Sequence, residues 1–367
     1  MSDWRFIVDH DNYADFSVSV TPAVEKAVRE GRAPSTVYLS HFNSDSVTIG
    51  VNEDPEQVLD LDFCRDNGIT FRRRLNGGGP IYAGQGSAII ALFLKTDHDR
   101  VPNTAAEAFP AILGAIAEVL ERRYGFSAEY RPLNDIQVEG RKLVPTSLKI
   151  EDGVMTFRIV VNLKPMDTDL AGRAMPMPPE KVADKELKDL TSRFTWLERE
   201  AGREITESEL EAFTEDCIAH VFGERDLARA SLDPRERGDA DTFRTEFEMD
   251  AWLYGKSERN RFGALIRPGD RVGRGVVKAV GGLIRTTLLV RDGSVMHAIV
   301  NGDWHPRPLD AIAWLEAALE GAEATPDALG GRVDAFLARP DVEFAGIEPA
   351  DLTAALEKAV ADLTLSG

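Results

Sequence analysis

The chain is poor in cysteine: Cys64 and Cys217 are the only two among 367 residues. Two thiols, with no histidine at metal spacing beside them, exclude a disulfide-stapled scaffold and a zinc ribbon or finger. A reducing compartment, the cytoplasm, is the expected location. Long apolar runs are also missing; none reaches the roughly 18 to 20 residues that cross a bilayer, so no membrane association is expected. The first thirty residues carry acids and begin with a strand-like Trp4-Arg5-Phe6-Ile7-Val8, so no signal peptide is expected. Basic charge is scarce: 43 Lys and Arg against 62 Asp and Glu leave a net charge of −19. General nucleic-acid binding needs a basic footprint and is excluded. Of the six histidines, His41, His98, His297 and His305 sit in no catalytic spacing and read as structural or surface residues.

Against that acidic background, arginine clusters at Arg72 to Arg74, Arg122, Arg123, Arg131 and Arg141. The densest stretch is Arg72-Arg73-Arg74-Leu75-Asn76-Gly77-Gly78-Gly79-Pro80-Ile81-Tyr82. Glycines let backbone amides approach a ligand closely and accept positive φ. A run of such amides binds anions, and the arginine fork suits phosphate or carboxylate. A tight turn between two strands with an arginine-lined rim is the alternative reading.

The length predicts two domains or three. Residues 4–9, Val37 to Leu39, Val47 to Ile49, Ile69 to Arg74 and Ala88 to Lys95 are predicted strands. Residues 15–30 and 61–67 are predicted helices, as are Thr104 to Tyr124, closed by Gly125, and Thr206 to Phe222. Ile136 to Val138, Lys142 to Ile150 and Val154 to Leu163 alternate like a meander, with Glu151-Asp152-Gly153 as a hairpin turn. Ala174 to Pro179 reads as a loop. Pro145 is expected to break sheet pairing or to sit at an edge. Charge, proline and glycine make residues 223–242 the expected linker. Beyond it three strands and three helices form a second unit. The fold class is therefore α+β, a large mixed-sheet domain over 1–235 and a small α+β domain over 243–367.

Three blocks carry a resemblance. Arg73-Arg74-Leu75-Asn76-Gly77-Gly78-Gly79-Pro80-Ile81-Tyr82 resembles the Arg-Arg-x-Ser-Gly-Gly-Gly-Ala-Val-Tyr of lipoate–protein ligases. Asn134-Asp135-Ile136 followed by Gly140-Arg141-Lys142 looks like their Asn-Asp pair and active-site lysine. Ser192-Arg193-Phe194-Thr195-Trp196-Leu197 looks like their Ser-Arg-Val-Thr-Asn-Leu, and Trp252-Leu253-Tyr254-Gly255-Lys256 continues the likeness into a carboxy-terminal accessory domain. The resemblance implies a biotin/lipoate ligase fold and an ATP-dependent ligase. Such an enzyme activates lipoate or octanoate as acyl-AMP and passes it to a lysine of an acceptor lipoyl domain. It implies Lys142 as the catalytic residue. It also implies Arg73, Arg74, Asn76, Gly77, Gly78, Gly79, Tyr82, Asn134 and Asp135 around substrate and nucleotide, with Asp135 holding Mg²⁺. Ser192 and Arg193 are weaker ligand candidates, with loop capping as the alternative.

The departures fall around the acyl group. Ala83-Gly84-Gln85-Gly86-Ser87 replaces the usual His-Asp and Gly-Asn. Leu143-Val144-Pro145-Thr146-Ser147 replaces a small Ile-Ser-Gly-Ser, and Thr156-Phe157-Arg158 replaces His-Gly-Thr. Three alternatives stay open: an octanoyltransferase, some of which use a cysteine nucleophile; a biotin ligase, although the Gly-Gly-Gly context fits lipoate better; and a non-catalytic paralogue that binds an acyl group or lipoyl domain. Neither Cys64 nor Cys217, both inside predicted helices, reads as a poised nucleophile.

Overall fold

A computed structural model describes residues 4–12, 16–176, 193–223 and 226–365. Its strands, in chain order, are β1 (Trp4–Asn12), β2 (Ser35–Phe42), β3 (Ser46–Ile49), β4 (Thr70–Arg73), β5 (Ile81–Ala83), β6 (Ser87–Lys95), β7 (Glu129–Arg131), β8 (Asp135–Val138), β9 (Arg141–Glu151), β10 (Val154–Asn162) and β11 (Leu227–Ala230). There follow β12 (Arg271–Lys278), β13 (Leu283–Arg291), β14 (Ser294–Gly302), β15 (Pro306–Arg307), β16 (Glu343–Phe344) and β17 (Thr364–Leu365). The main sheet runs β11-β1-β2-β6-β10-β9-β8-β7. It is parallel across β11, β1 and β2 and antiparallel elsewhere. The mixed α+β architecture is as expected.

The Ala105–Tyr124 and Glu207–Phe222 helices cover one face. The first starts where the Thr104 hydroxyl accepts from the Glu107 N–H and ends at left-handed Gly125. Its Phe109, Ile112, Ile116 and Leu120 repeat at three- and four-residue steps and enter the core beside Phe157 and Phe213. The Phe16–Arg29 helix covers the other face with Val20, Val24 and Val28. A small sheet, β4-β3-β5, carries the glycine turn between β4 and β5. The β9–β10 hairpin turns at Asp152 and Gly153, both at positive φ, as their sequence predicts. Pro145 lies one residue beyond the last β9–β10 pair, Thr146–Ile159, while still opposite Asp135 of β8. Proline's missing donor is tolerated where pairing ends.

The segment read as a linker is instead built into the large domain. β11 pairs with β1 from Leu227 to Ala230. The Pro234–Phe247 helix begins with a capping box, Asp233 with Glu236, and packs on the Phe16–Arg29 helix. Its buried Glu236 pairs with the Arg5 guanidinium, and Asp239 bonds Lys26 and Arg32 at 2.8 and 2.9 Å. Charge and proline look like linker composition, but Arg229, Glu236 and Asp239 here each pair with a partner elsewhere in the domain.

Beyond it, β14-β13-β12-β17 form an antiparallel sheet. The Ala311–Leu319, Pro326–Leu337 and Pro349–Ala361 helices enclose a second core around Leu288, Trp304, Leu315 and Leu356. No helix among the described residues is long and apolar enough to cross a membrane.

Candidate active site

Lys142 is the second residue of β9, just after the Glu139-Gly140 hairpin turn, both turn residues at positive φ. A register shift lies in β8 between Ile136 and Gln137. The turn sends β9 back alongside β8, so the even spacing from Asn134 to Lys142 places nothing on one straight strand. The two elements face each other across a hairpin, and Lys142 Nζ reaches Asp135 Oδ2 at 2.8 Å. The lysine backbone is held as well: its N–H donates to Arg193 O at 2.7 Å and its carbonyl accepts from Thr195 N–H at 3.0 Å. The Arg193-Phe194-Thr195 block thus fixes the lysine through the main chain. Ser192 lies outside the described residues.

Asn134 donates to Thr146 O at 2.9 Å and its carbonyl accepts from the Thr146 hydroxyl at 2.7 Å. Asn134 is in this way a brace between β9 and the β7–β8 turn. A cavity of about 350 Å³ opens beside these residues. Lys142, Asp135, Asn134, Thr146 and Asn162 give it a polar end, and Ile81, Tyr82, Met166, Met175 and Phe194 an apolar wall. Such a volume, apolar with a few convergent polar groups, suits a small amphipathic ligand. The Asp135 carboxylate has one oxygen on Lys142, while buried Oδ1 has no hydrogen-bond partner among the described residues. Mg²⁺ takes one or two carboxylates plus phosphate oxygens, and this free oxygen fits that role.

The rest of the expected set is placed differently. Of the glycine turn, Gly79 and Tyr82 line the cavity; Gly77, Gly78, Asn76, Arg73 and Arg74 do not. Arg73, 2 % exposed, donates to the carbonyls of Trp252, Val51, Glu53 and Leu253 at 2.7 to 2.8 Å. Arg74, 1 % exposed, donates to those of Thr48, Gly77 and Gly79 at 2.7 to 2.9 Å. Burial pushes the two guanidinium groups down to about 10 and about 9, so both remain charged at neutral pH. Their charge is spent on interior carbonyls rather than aimed at the cavity. Asn76 donates to Thr156 O at 3.1 Å. Tyr82 also belongs to a small core with Val47 and Ile49, and burial raises its hydroxyl.

The second domain covers the glycine turn. Gly78 N–H donates to Trp304 O at 3.3 Å. A Cβ on Gly77 would lie 2.6 Å from the same oxygen and one on Gly50 2.0 Å from Gly78 O. Only glycine fits either contact. His305 packs beneath, edge-on to Phe109 at 5.2 Å. Burial, then the Arg74 charge, holds its imidazole down to about 4. Lys278 to Leu283 and Asp303 complete the cavity wall. The sequence reading missed these residues; the Gly281-Gly282 pair was the one local signal of a close approach.

Residues 15–220 match the family model for the lipoyl protein ligase A/B catalytic domain. The chain belongs to this family. Its curated relatives include the lipoate–protein ligase LplJ of Bacillus subtilis, 24 % identical over 263 residues, covering 69 % of this chain and 74 % of the relative. They include as well the octanoyltransferase LipM of Brevibacillus brevis, 24 % identical over 276 residues, covering 69 % of this chain and 99 % of the relative. Among solved structures, LipL1 of P. falciparum in complex with lipoate superposes with a TM-score of 0.70 at 14 % identity, covering 93 % of this chain and 95 % of that one. Lipoate-protein ligase A bound with ATP superposes at 0.57 and 16 %, covering 69 % and 99 %. The fold is therefore that of these solved lipoate-ligase structures. Family membership makes this an enzyme of the ligase and octanoyltransferase group.

Proposed function

We propose that the protein is an ATP-dependent lipoate–protein ligase. One observation carries the choice over a cysteine-dependent octanoyltransferase: the cavity holds a lysine–aspartate pair and no thiol. Cys64 packs in the small core against Ala174 O, and Cys217 sits inside the Glu207–Phe222 helix in the main core. Burial raises both thiols, away from the thiolate a nucleophile needs. The relatives named for ligase activity and for ATP binding support the reading.

In the proposed reaction the acid's carboxylate attacks the α-phosphorus of ATP, and pyrophosphate leaves. The acceptor lysine amine then attacks the acyl carbonyl, and AMP leaves. Lys142 holds positive charge against the carboxylate and α-phosphate first and the carbonyl oxyanion second. A compact ammonium on a flexible stem can follow charge between those positions. Asp135 keeps that ammonium in place and offers its free oxygen to Mg²⁺, which would neutralise phosphate charge. The apolar wall takes a medium-chain acyl group such as lipoyl or octanoyl, and the acceptor is a lipoyl domain.

The test is ATP–pyrophosphate exchange over a series of medium-chain acids, run beside transfer from octanoyl carrier protein without nucleotide. Exchange with lipoate or octanoate is expected. Transfer without nucleotide, and no exchange, would establish the octanoyltransferase reading instead.

A further inference from the structure

Away from the cavity, a second cluster of ligating side chains joins two strands and a helix. His10 near the end of β1 and His41 near the end of β2 sit on adjacent parallel strands. Their Nδ1 atoms approach to 2.6 Å with ring centroids 4.6 Å apart. Two N–H groups cannot meet this way, so at least one ring presents a lone pair. The contact is also shorter than an ordinary nitrogen–nitrogen hydrogen bond. Above them lies the first turn of the Glu207–Phe222 helix. Glu207 and Glu211, one turn apart, place Oε2 at 3.8 Å and Oε1 at 3.6 Å from His10 Nε2. Glu211 is also held by Arg229 at 2.6 Å. Among the described residues no Lys or Arg pairs with Glu207, which is 66 % exposed.

We propose that His10, His41 and Glu207 bind a divalent transition-metal ion of the zinc class, at a site separate from the cavity that holds Lys142. One ligand atom from each residue lies within 4.8 Å of the others, and among the described residues no other group of three such side chains does. Two imidazoles and one carboxylate are a ligand set that zinc takes, with a fourth position for water or Glu211. Tetrahedral ligand atoms about 2.0 to 2.1 Å from zinc lie about 3.4 Å apart, so the carboxylate must close by at most about 1.4 Å, and the two Nδ1 atoms, 2.6 Å apart, must part if both ligate. Glu207, mostly exposed on its helix, supplies the first movement by a change of rotamer. Lys164 also faces His41, and its charge opposes the ion; the two glutamates outweigh it in sign. Oxygen-only ions such as Mg²⁺ do not match two imidazoles.

Bound there, the ion would tie the amino-terminal end of a core helix to the open ends of β1 and β2. The full chain, dialysed against chelator and then freed of it, is titrated with Co²⁺ and with Zn²⁺. One ion per chain is expected, with the visible absorption of tetrahedral Co²⁺ lost on addition of Zn²⁺. His41→Gln and Glu207→Gln should each weaken Zn²⁺ binding by about 100-fold or more, since outer-shell partners alone are worth about 10- to 100-fold. Glu207→Gln alters an exposed side chain and leaves the core untouched, so it separates ligand loss from misfolding. Zn²⁺ should raise the Tm of the parent chain and not of the variants. Absence of stoichiometric uptake would overturn the proposal, as would uptake unchanged in both variants.

Discussion

Arg73, Arg74 and Lys142 carry one charge each and spend it differently. A guanidinium presents five donors in a rigid fork, which can satisfy several carbonyls at once inside a protein; an ammonium presents a compact charge on a flexible stem. Arg73 therefore knots together carbonyls from residues 51 to 53 and 252 to 253, while Lys142 stays at the cavity wall, 32 % exposed. Lys142→Ala is expected to leave the unfolding midpoint unchanged and lower pyrophosphate exchange by about 10²- to 10³-fold, the usual cost of removing a preorganised group at a developing oxyanion. Near-normal turnover would move the chemistry elsewhere. Arg73→Met should do the reverse. Each hydrogen bond to a charged group is worth about 1.5 to 3 kcal/mol; losing four, less the relieved cost of burying the guanidinium, should leave a loss of about 3 kcal/mol or more. Urea unfolding checks this. Unchanged stability with weakened nucleotide binding would restore the phosphate-clamp role.

At the scale of elements, the stretch from β11 through the Pro234–Phe247 helix decides where the large domain ends. That helix buries Ala240 and Phe247, and Glu236 supplies the carboxylate for buried Arg5. Removing one partner of a buried pair costs about 3 to 5 kcal/mol. A chain cut after Asp233 is expected to melt well below one cut after Lys256, because the shorter chain exposes the Phe16–Arg29 helix and strands Arg5. It also loses the Trp252 and Leu253 carbonyls that accept from Arg73. Equal melting temperatures for the two truncated chains would mean that residues 234–256 are a linker in solution.

On the scale of the whole molecule, two domains meet across the glycine turn. Glu53 and Arg285 form a buried pair at 3.0 Å, Trp304 caps Gly78, and residues 278–283 with Asp303 wall the cavity. A nucleotide cannot reach the Gly77-Gly78 amides while Trp304 covers them, and an adenylate under this cover would be shielded from water. We therefore expect the chain cut after Lys256 to lose adenylate formation and to keep transfer from chemically made acyl-adenylate. Retention of both half-reactions would assign residues 257–367 to another task, such as docking the acceptor. His305 adds a pH dependence. Its imidazole is held near 4 in the folded chain against an ordinary 6.5, so the unfolded chain binds the proton more tightly. Stability is unaffected above 6.5 and falls as pH drops from 6.5 toward 4, by at most about 3 kcal/mol. Arg74 opposes the proton and Asp303 favours it. His305→Phe should flatten this acid slope in urea unfolding; an unchanged slope would assign it to other groups.

Much was legible in the sequence because it is local. Thr104 and Gly125 bound a helix through their own backbone preferences, and Asp152-Gly153 turns a hairpin through positive φ. The order of Asn134, Asp135 and Lys142 pointed to one site, since a short hairpin brings near neighbours together whatever the rest of the fold does. Residues 223–242 misled because composition records charge and not its partners; Arg5 lies 231 positions from Glu236. Composition likewise could not show that the Arg73 and Arg74 guanidiniums meet interior carbonyls, because that depends on where residues 48 to 53, 77 to 79 and 252 to 253 converge. His305 reads as unremarkable among the six histidines until Gly77, Phe109 and Arg74 close around it. The sequence alone determined which short segments form and the family they belong to. The tertiary structure decided which charges are interior and which face the cavity, because burial and pairing also depend on residues as far apart as Arg5 and Glu236 or Arg73 and Trp252.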